Sequence, residues 1–161
     1  MTTVDIHLAE PGLHLAEAAT IWAQATAARD GDSEVAPLEL ALPLIDRVLG
    51  SSPRARLVVA GADGRIVGFA AVEPVPADES TAHVRYLGVE PGSWGSGVGR
   101  RLAAELPVLL ATVGYTHGEL AVYLDNPRAV TLYESLGWLR YGDATPHPRS
   151  GRLEQRYRLA F

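Results

Sequence analysis

The sequence predicts an α+β (mixed α/β) fold: a central mixed, mostly antiparallel sheet flanked by helices. Three observations predict it. Two hydrophobic runs, 56–60 and 65–73, are joined by Gly61-Ala62-Asp63-Gly64, a sequence suited to a hairpin turn. A third run, 81–89, extends this meander and passes through a glycine-rich loop directly into a helical stretch. Further on, Asp125-Asn126-Pro127 and Gly137 bracket another helix, as cap residues at its start and a C′ glycine at its end.

The elements follow in order. Val4–Leu8 reads as a short strand. Residues 13–29 read as a helix, with Leu15, Ala18, Ala19, Trp22 and Ala25 at helical spacing. A polar loop, 29–33, leads to a second helix over 38–49, where Pro43 predicts a break or kink. After the hairpin strands, 74–80 reads as a loop and 81–89 as the third strand. The helix after the glycine loop runs from 97 to about 113, with a kink expected at Pro107. Residues 119–124 form a strand, the capped helix follows, and 138–141 and 152–159 are final strands around a loop. The order β-α-α-β-β-β-α-β-α-β-β has a largely antiparallel front half.

At 161 residues the chain is read as one domain, 1–161, with a real core. No apolar run is long enough for a membrane span, and the N-terminus lacks a signal-peptide pattern, so a cytoplasmic protein without a membrane partner is expected. Cysteine is absent, which excludes disulfides, thiol nucleophiles and thiolate metal sites. All 14 basic residues are arginine, which excludes a lysine Schiff base and the lysine of a Walker A loop. The five histidines show no metal-ligand spacing, so no metal is expected. A net charge of −5 argues against nucleic acid and for an amine or cationic substrate.

The segment Trp94-Gly95-Ser96-Gly97-Val98-Gly99-Arg100 places turn-forming glycines at a helix N-terminus, an arrangement that binds phosphate through backbone N–H groups. Three sites use such a loop. A P-loop requires the missing lysine. A dinucleotide fingerprint has the pattern G-x-G-x-x-G and opens a βαβ unit, whereas this loop misses that spacing and follows a hairpin meander. The third is an acyl-CoA site. For that site the chain resembles the GNAT superfamily of acyl-CoA-dependent N-acetyltransferases. The resemblance runs through Leu87-x-Val89-x-Pro91, Trp94-x-x-Gly97-x-Gly99, the strand Leu120–Leu124, Asn126-x-x-Ala129, Tyr133-Glu134 and Gly137-Trp138. Trp94 departs from the Gln or Arg usual at the loop's first position.

The resemblance implies a GNAT fold whose sheet bulges and splays into a V-shaped cleft. It implies acetyl-CoA as co-substrate, with the pyrophosphate on the amides of Gly95, Ser96, Gly97, Val98, Gly99 and Arg100. The pantetheine arm would lie along Leu87, Gly88 and Val89 with help from Asn126. A primary amine, on a small molecule or a peptide N-terminus, would attack the thioester directly through a tetrahedral intermediate, stabilised by a backbone N–H near 87–89. Tyr133 matches the family's general acid, though on the helix alone it reads as a core aromatic. His83 matches the position of a catalytic base, with Glu73 and water as alternatives and Tyr86 as a pocket-lining candidate. Simple alternation puts His83, Arg85 and Leu87 on one face and Val84 and Tyr86 on the other. Acids Asp30, Asp32 and Glu34 border the expected acceptor site, and 145–149 its other wall, with His147 a loop residue. A homodimer through the C-terminal strands is implied by the resemblance alone. The rival reading is the same fold holding acyl-CoA as a sensor or scaffold without turnover.

Overall fold

The computed structural model describes residues 3–161. Its strands form a single seven-stranded sheet in the order β1-β2-β3-β4-β5-β7-β6. The strands are β1 (Val4–Leu8), β2 (Arg56–Ala62), β3 (Arg65–Val75), β4 (Asp78–Val89), β5 (His117–Tyr123), β6 (Leu139–Pro146) and β7 (Leu153–Ala160). Helices α1 (Leu15–Asp30) and α2 (Leu38–Gly50) precede β2; α3 (Val98–Thr112) and α4 (Pro127–Ser135) flank β5 in sequence. Every neighbouring pair is antiparallel except β4 and β5, which are parallel because α3 returns the chain to the same end of the sheet.

Helices cover the two faces of the sheet and make two cores. On one face Phe69, Ala71, Leu57 and Val59 pack against Ala18, Ala19 and Ile21 of α1 and Ala41, Ile45 and Val48 of α2. On the other, Val58, Ala70, Val72, Ala82, Val84, Leu120 and Val122 pack against Leu102, Leu106 and Leu110 of α3 and Tyr133 of α4. Such alternation is what period-2 strands produce when both faces are buried.

Several expectations from the sequence are corrected. The break that Pro43 allowed does not occur: α2 runs on through it, as α3 runs on through Pro107. Each proline forfeits one N–H donor, but buried residues before and after it (Ala41 and Ile45; Leu106 and Leu110) pin both halves to the sheet. The expected loop at 74–80 shrinks to a tight turn, because β3 reaches Val75 and β4 begins at Asp78. Asp78 makes the turn: Oδ1 accepts the Ser80 N–H at 3.1 Å and Oδ2 the Thr81 hydroxyl at 2.7 Å. Pro74 is tolerated next to a register shift, where a ladder donor is dispensable. At the C-terminus, β6 starts one residue later than expected and extends to Pro146.

Gly118 of β5 lies beneath the Trp138 ring: a Cβ there would sit 2.7 Å from Trp138 and 3.0 Å from Phe161. Both obstacles are large rings, and Trp138 is only 2% exposed. Gly118→Ala is therefore expected to destabilise the fold by about 1–3 kcal/mol, read as a lower midpoint in urea denaturation at unchanged slope.

Candidate active site

β4 and β5 pair only from Thr81↔His117 to His83↔Glu119. Beyond that point β4 continues to Val89 against β3 alone, and β5 continues to Tyr123 against β7 alone. The two strands therefore part like a V, and the inner edges of 84–89 and 120–123 carry backbone groups without a strand partner. Buried backbone groups left in this state need another partner.

A β-bulge sits where the V opens. Ala71 pairs with Tyr86 while its neighbour Val72 pairs with Val84, so Arg85 is the extra residue. The bulge shifts the side-chain alternation by one. Val84 and Leu87 consequently face α3 and α4, whereas Tyr86 packs with the α1–α2 core. This corrects the simple alternation, which kept Leu87 with His83 and moved Tyr86 away. Tyr86 instead meets Trp22 edge-on, ring centroids 6.1 Å apart.

The glycine loop begins where β4 ends. A 3-10 turn (Pro91–Ser93) follows Glu90, whose carboxylate binds Arg65 and accepts the Ser93 hydroxyl at 2.8 Å. The Trp94 indole N–H donates to the Val89 carbonyl at 2.8 Å, tying the loop to the strand. Gly95 and Gly97 stand at φ 79° and 91°, in the left-handed region that glycine enters without penalty. The first bond of α3 runs from the Arg101 N–H to the Gly97 carbonyl, 3.0 Å. The N–H groups of Gly97, Val98, Gly99 and Arg100 precede it and have no acceptor within the helix. Ser96 differs from the expectation: its N–H already reaches the Ser93 carbonyl at 3.3 Å. Arg100 donates to the Ser135 hydroxyl at 3.1 Å, joining α3 to α4.

Asn126 and Tyr133 are held by α4. Asn126 Oδ1 accepts the Ala129 N–H at 3.3 Å, a cap that leaves the side-chain Nδ2 for another acceptor. At the far end Gly137 turns at φ 90°. The Trp138 N–H then reaches the Tyr133 carbonyl (3.0 Å) and the Gly137 N–H the Glu134 carbonyl (3.1 Å), a Schellman closure. The closure sets Trp138 edge-on against the Tyr133 ring at 5.9 Å. Tyr133 is 8% exposed, and burial alone pushes its hydroxyl up to about 12. It stays protonated across the neutral range.

His83 occupies the apex of the V. Its register neighbours are Glu73 on β3 and Glu119 on β5. Desolvation, reinforced by the Arg85 charge, holds the imidazole below its usual value, while Glu119 and Glu73 oppose the shift. Arg85 also lies 3.8 Å from Glu73. Sequence reading had named His83 and Glu73 but missed Glu119; only the parallel pairing of β5 with β4 brings it beside them.

The loop acids are not equivalent. Asp30 binds Arg29 at 2.9 Å and lies 3.6 Å from Arg152, which also binds Asp125 at 2.6 Å. Arg152 stacks on the Tyr123 ring, 3.8 Å from its centroid, and His147 meets the same ring edge-on. This strap joins the end of α1 to the 147–152 turn across the open end of the V. The Arg29 and Arg152 guanidinia keep the Asp30 carboxyl below its usual range. Asp32 and Glu34 stay exposed and outside the strap.

Comparisons with known proteins agree with this architecture. The model of the Acetyltransferase (GNAT) family matches residues 17–138. The chain is 37% identical over 95 residues to the N-alpha-acetyltransferase RimI of Mycobacterium tuberculosis, a match covering 57% of each protein. It is 38% identical over 76 residues to the mycothiol acetyltransferase of Streptomyces avermitilis, covering 47% of this chain and 24% of that protein. The chain thus spans little more than half of the first relative and a quarter of the second. Among solved structures, the ribosomal-protein-S18-alanine N-acetyltransferase of Escherichia coli superposes with a TM-score of 0.73 at 21% identity, covering 99% of this chain and 94% of that one. A Salmonella typhimurium structure, yncA with its cofactor acetyl-CoA, gives 0.71 at 18% identity, covering 98% and 94%.

A histidine held below its usual value folds best when neutral. The unfolded chain takes up that proton from about pH 6.5 downward, before the folded chain does, so stability falls as the pH drops through that window. His83→Gln is expected to flatten the loss between about pH 6.5 and 5, measured as urea midpoints across that range.

Proposed function

The chain is a member of the GNAT acetyltransferase family, and from that premise we propose that it transfers an acetyl group from acetyl-CoA to a primary amine. The observation that carries this reading is the parted edge of β4 with the free N–H groups of Gly95, Gly97, Val98, Gly99 and Arg100 at its mouth. The donors suit a diphosphate: several N–H groups converge at a helix N-terminus with no internal acceptor. The open strand edge suits an extended amide-bearing arm, which pairs with main-chain groups as an added strand. Bound acetyl-CoA supplies an electrophilic thioester carbonyl.

The residues then divide the work. The inner edge of Leu87, Gly88 and Val89 holds the arm and offers N–H to the developing oxyanion. The α1–α2 face admits the amine, so the two reactants meet through the gap from opposite faces of the sheet, and proximity supplies much of the rate. The amine nitrogen bonds to the acetyl carbon, the carbon–sulfur bond breaks, and the amine's surplus proton leaves. His83, neutral at pH 7, accepts that proton through water, with Glu73 and Glu119 beside it to steady the imidazolium. Tyr133 gives a hydrogen bond, and finally a proton, to the departing sulfur. A hydroxyl near 12 is a reluctant acid against a thiolate of about 8.5. The tyrosine therefore assists departure and does not decide it.

The retained tyrosine favours turnover over an acyl-CoA sensor, which needs no acid at that place. A homodimer belongs to the same reading: β6 is the outer strand, and its outer edge pairs with no other strand among the described residues. Light scattering on the eluted protein reports the mass that decides it.

Thiol release from acetyl-CoA with a panel of primary amines tests the proposal. Tyr133→Phe is expected to lower kcat about 10- to 100-fold, within the range for a lost acid, with acetyl-CoA affinity unchanged by calorimetry. Gly97→Ala, strained at φ 91°, is expected to weaken acetyl-CoA binding with little change in kcat. Absence of calorimetric binding by the wild-type protein would overturn the whole reading.

A further inference from the structure

On the acceptor side of the sheet, no helix among the described residues packs along β5, β7 and β6; only the Arg29 guanidinium at the end of α1 reaches in, 5.7 Å from the Tyr123 ring. Glu119, Ala121 and Tyr123 of β5 pair with Arg158, Arg156 and Glu154 of β7, and Arg158 and Arg156 pair onward with Leu139 and Tyr141 of β6. Residues paired in register share a face. The face therefore runs from the apex of the V outward, as an open shelf beside His83.

Two guanidinium groups dominate the shelf. Arg156 and Arg158 both lie against the Tyr141 ring, 4.9 and 5.2 Å from its centroid. Among the described residues neither has a carboxylate within 4 Å, although six other arginines do. Even Glu119, the register partner of Arg158, does not close on it. Arg158 reaches back toward β4, where one terminal nitrogen lies 3.5 Å from the Thr81 hydroxyl. Its Nε is buried and has no hydrogen-bond partner. Two like charges gathered on one ring, one with an orphaned buried donor, are costly unless an anion completes them. Between them and the V stands Ala121, whose side chain is too short to block the way.

We propose that Arg156 and Arg158 bind a carboxylate carried by the acceptor, so that the substrate is an amine and an acid at once. The inference rests on the acetyl-transfer reading and names the substrate class for that site. The amine enters the V beside His83, and the carboxylate rests in the guanidinium fork on the shelf. Contact with the Tyr141 ring restrains both guanidinium groups, which spares part of the ordering cost of binding.

Matched pairs test it: L-alanine against L-alaninamide, and 4-aminobutyrate against 4-aminobutyramide, with wild-type protein and with Arg156→Gln, Arg158→Gln and the double variant. The expected result is at least about a tenfold preference in kcat/KM for the acid of the better pair, as for one charge-assisted bond. That preference should vanish in the double variant while the KM for acetyl-CoA holds. Equal rates for acid and amide in the wild type, or a preference that survives both substitutions, would overturn the proposal. Arg156 is exposed, so Arg156→Gln folds independently of any packing role of Arg158. Saturation-transfer NMR with N-acetyl-L-alanine and its amide gives a readout without turnover. Selective binding of the acid, lost in the double variant, in a protein that acetylates no amine would uphold the anion site and sink the acetyl-transfer reading. Turnover without acid selectivity would do the reverse.

Discussion

The parting of β4 from β5 is the constraint on which the rest depends. A parallel pair joined through a helix would ordinarily stay zipped along its length, since each unpaired backbone group in an interior costs free energy. Here the ladder stops at His83 and Glu119. The bulge at Arg85 turns β4 onto a new course, and the α1–α2 core holds it there through Tyr86 and Trp22. β5 is held on its own course by full pairing with β7. The gap is thus imposed by both neighbours.

Each face of the sheet brings its own chemistry to that gap. In the proposed reaction the α3–α4 face contributes main-chain donors and the buried Tyr133 hydroxyl. The α1–α2 face contributes titratable side chains, with His83 in register with Glu73 and Glu119. The gap gives the two sets a common point while the sheet keeps them otherwise apart. Tyr133 is oriented by a turn of backbone at Gly137 and by the ring that turn delivers, so no polar partner competes for its hydroxyl.

Much of this was legible in the residues. Asn126-Pro127 and Gly137 announced both ends of α4, because caps are local and need no tertiary help. The loop from Trp94 to Arg100 announced its donors for the same reason. Continuous apolar runs placed β2 and β3 well, since burial on both faces produces them. What could not be read was anything that depends on pairing. The resemblance implied a bulge, but nothing in Val84-Arg85-Tyr86 places it at Arg85, where it reverses the facing of Tyr86 and Leu87. Glu119 and Arg158 are distant in sequence from His83 and meet it only through sheet order. The break allowed at Pro43 failed for the opposite reason, because tertiary burial outweighs one missing donor.

The Arg152 strap is a loose tie. Its ion pairs are solvent-facing, with Asp125 60% and Arg152 30% exposed, and contacts of that kind hold only weakly. Thermal agitation suffices to undo them. Because Asp30 and Asp125 both border the same guanidinium, either carboxylate can be lost while the other still holds it. Since charges this exposed are screened beyond about 8 Å at physiological ionic strength, the tie between α1 and the 147–152 turn slackens as salt rises, and the medium shares with the residues in setting its strength.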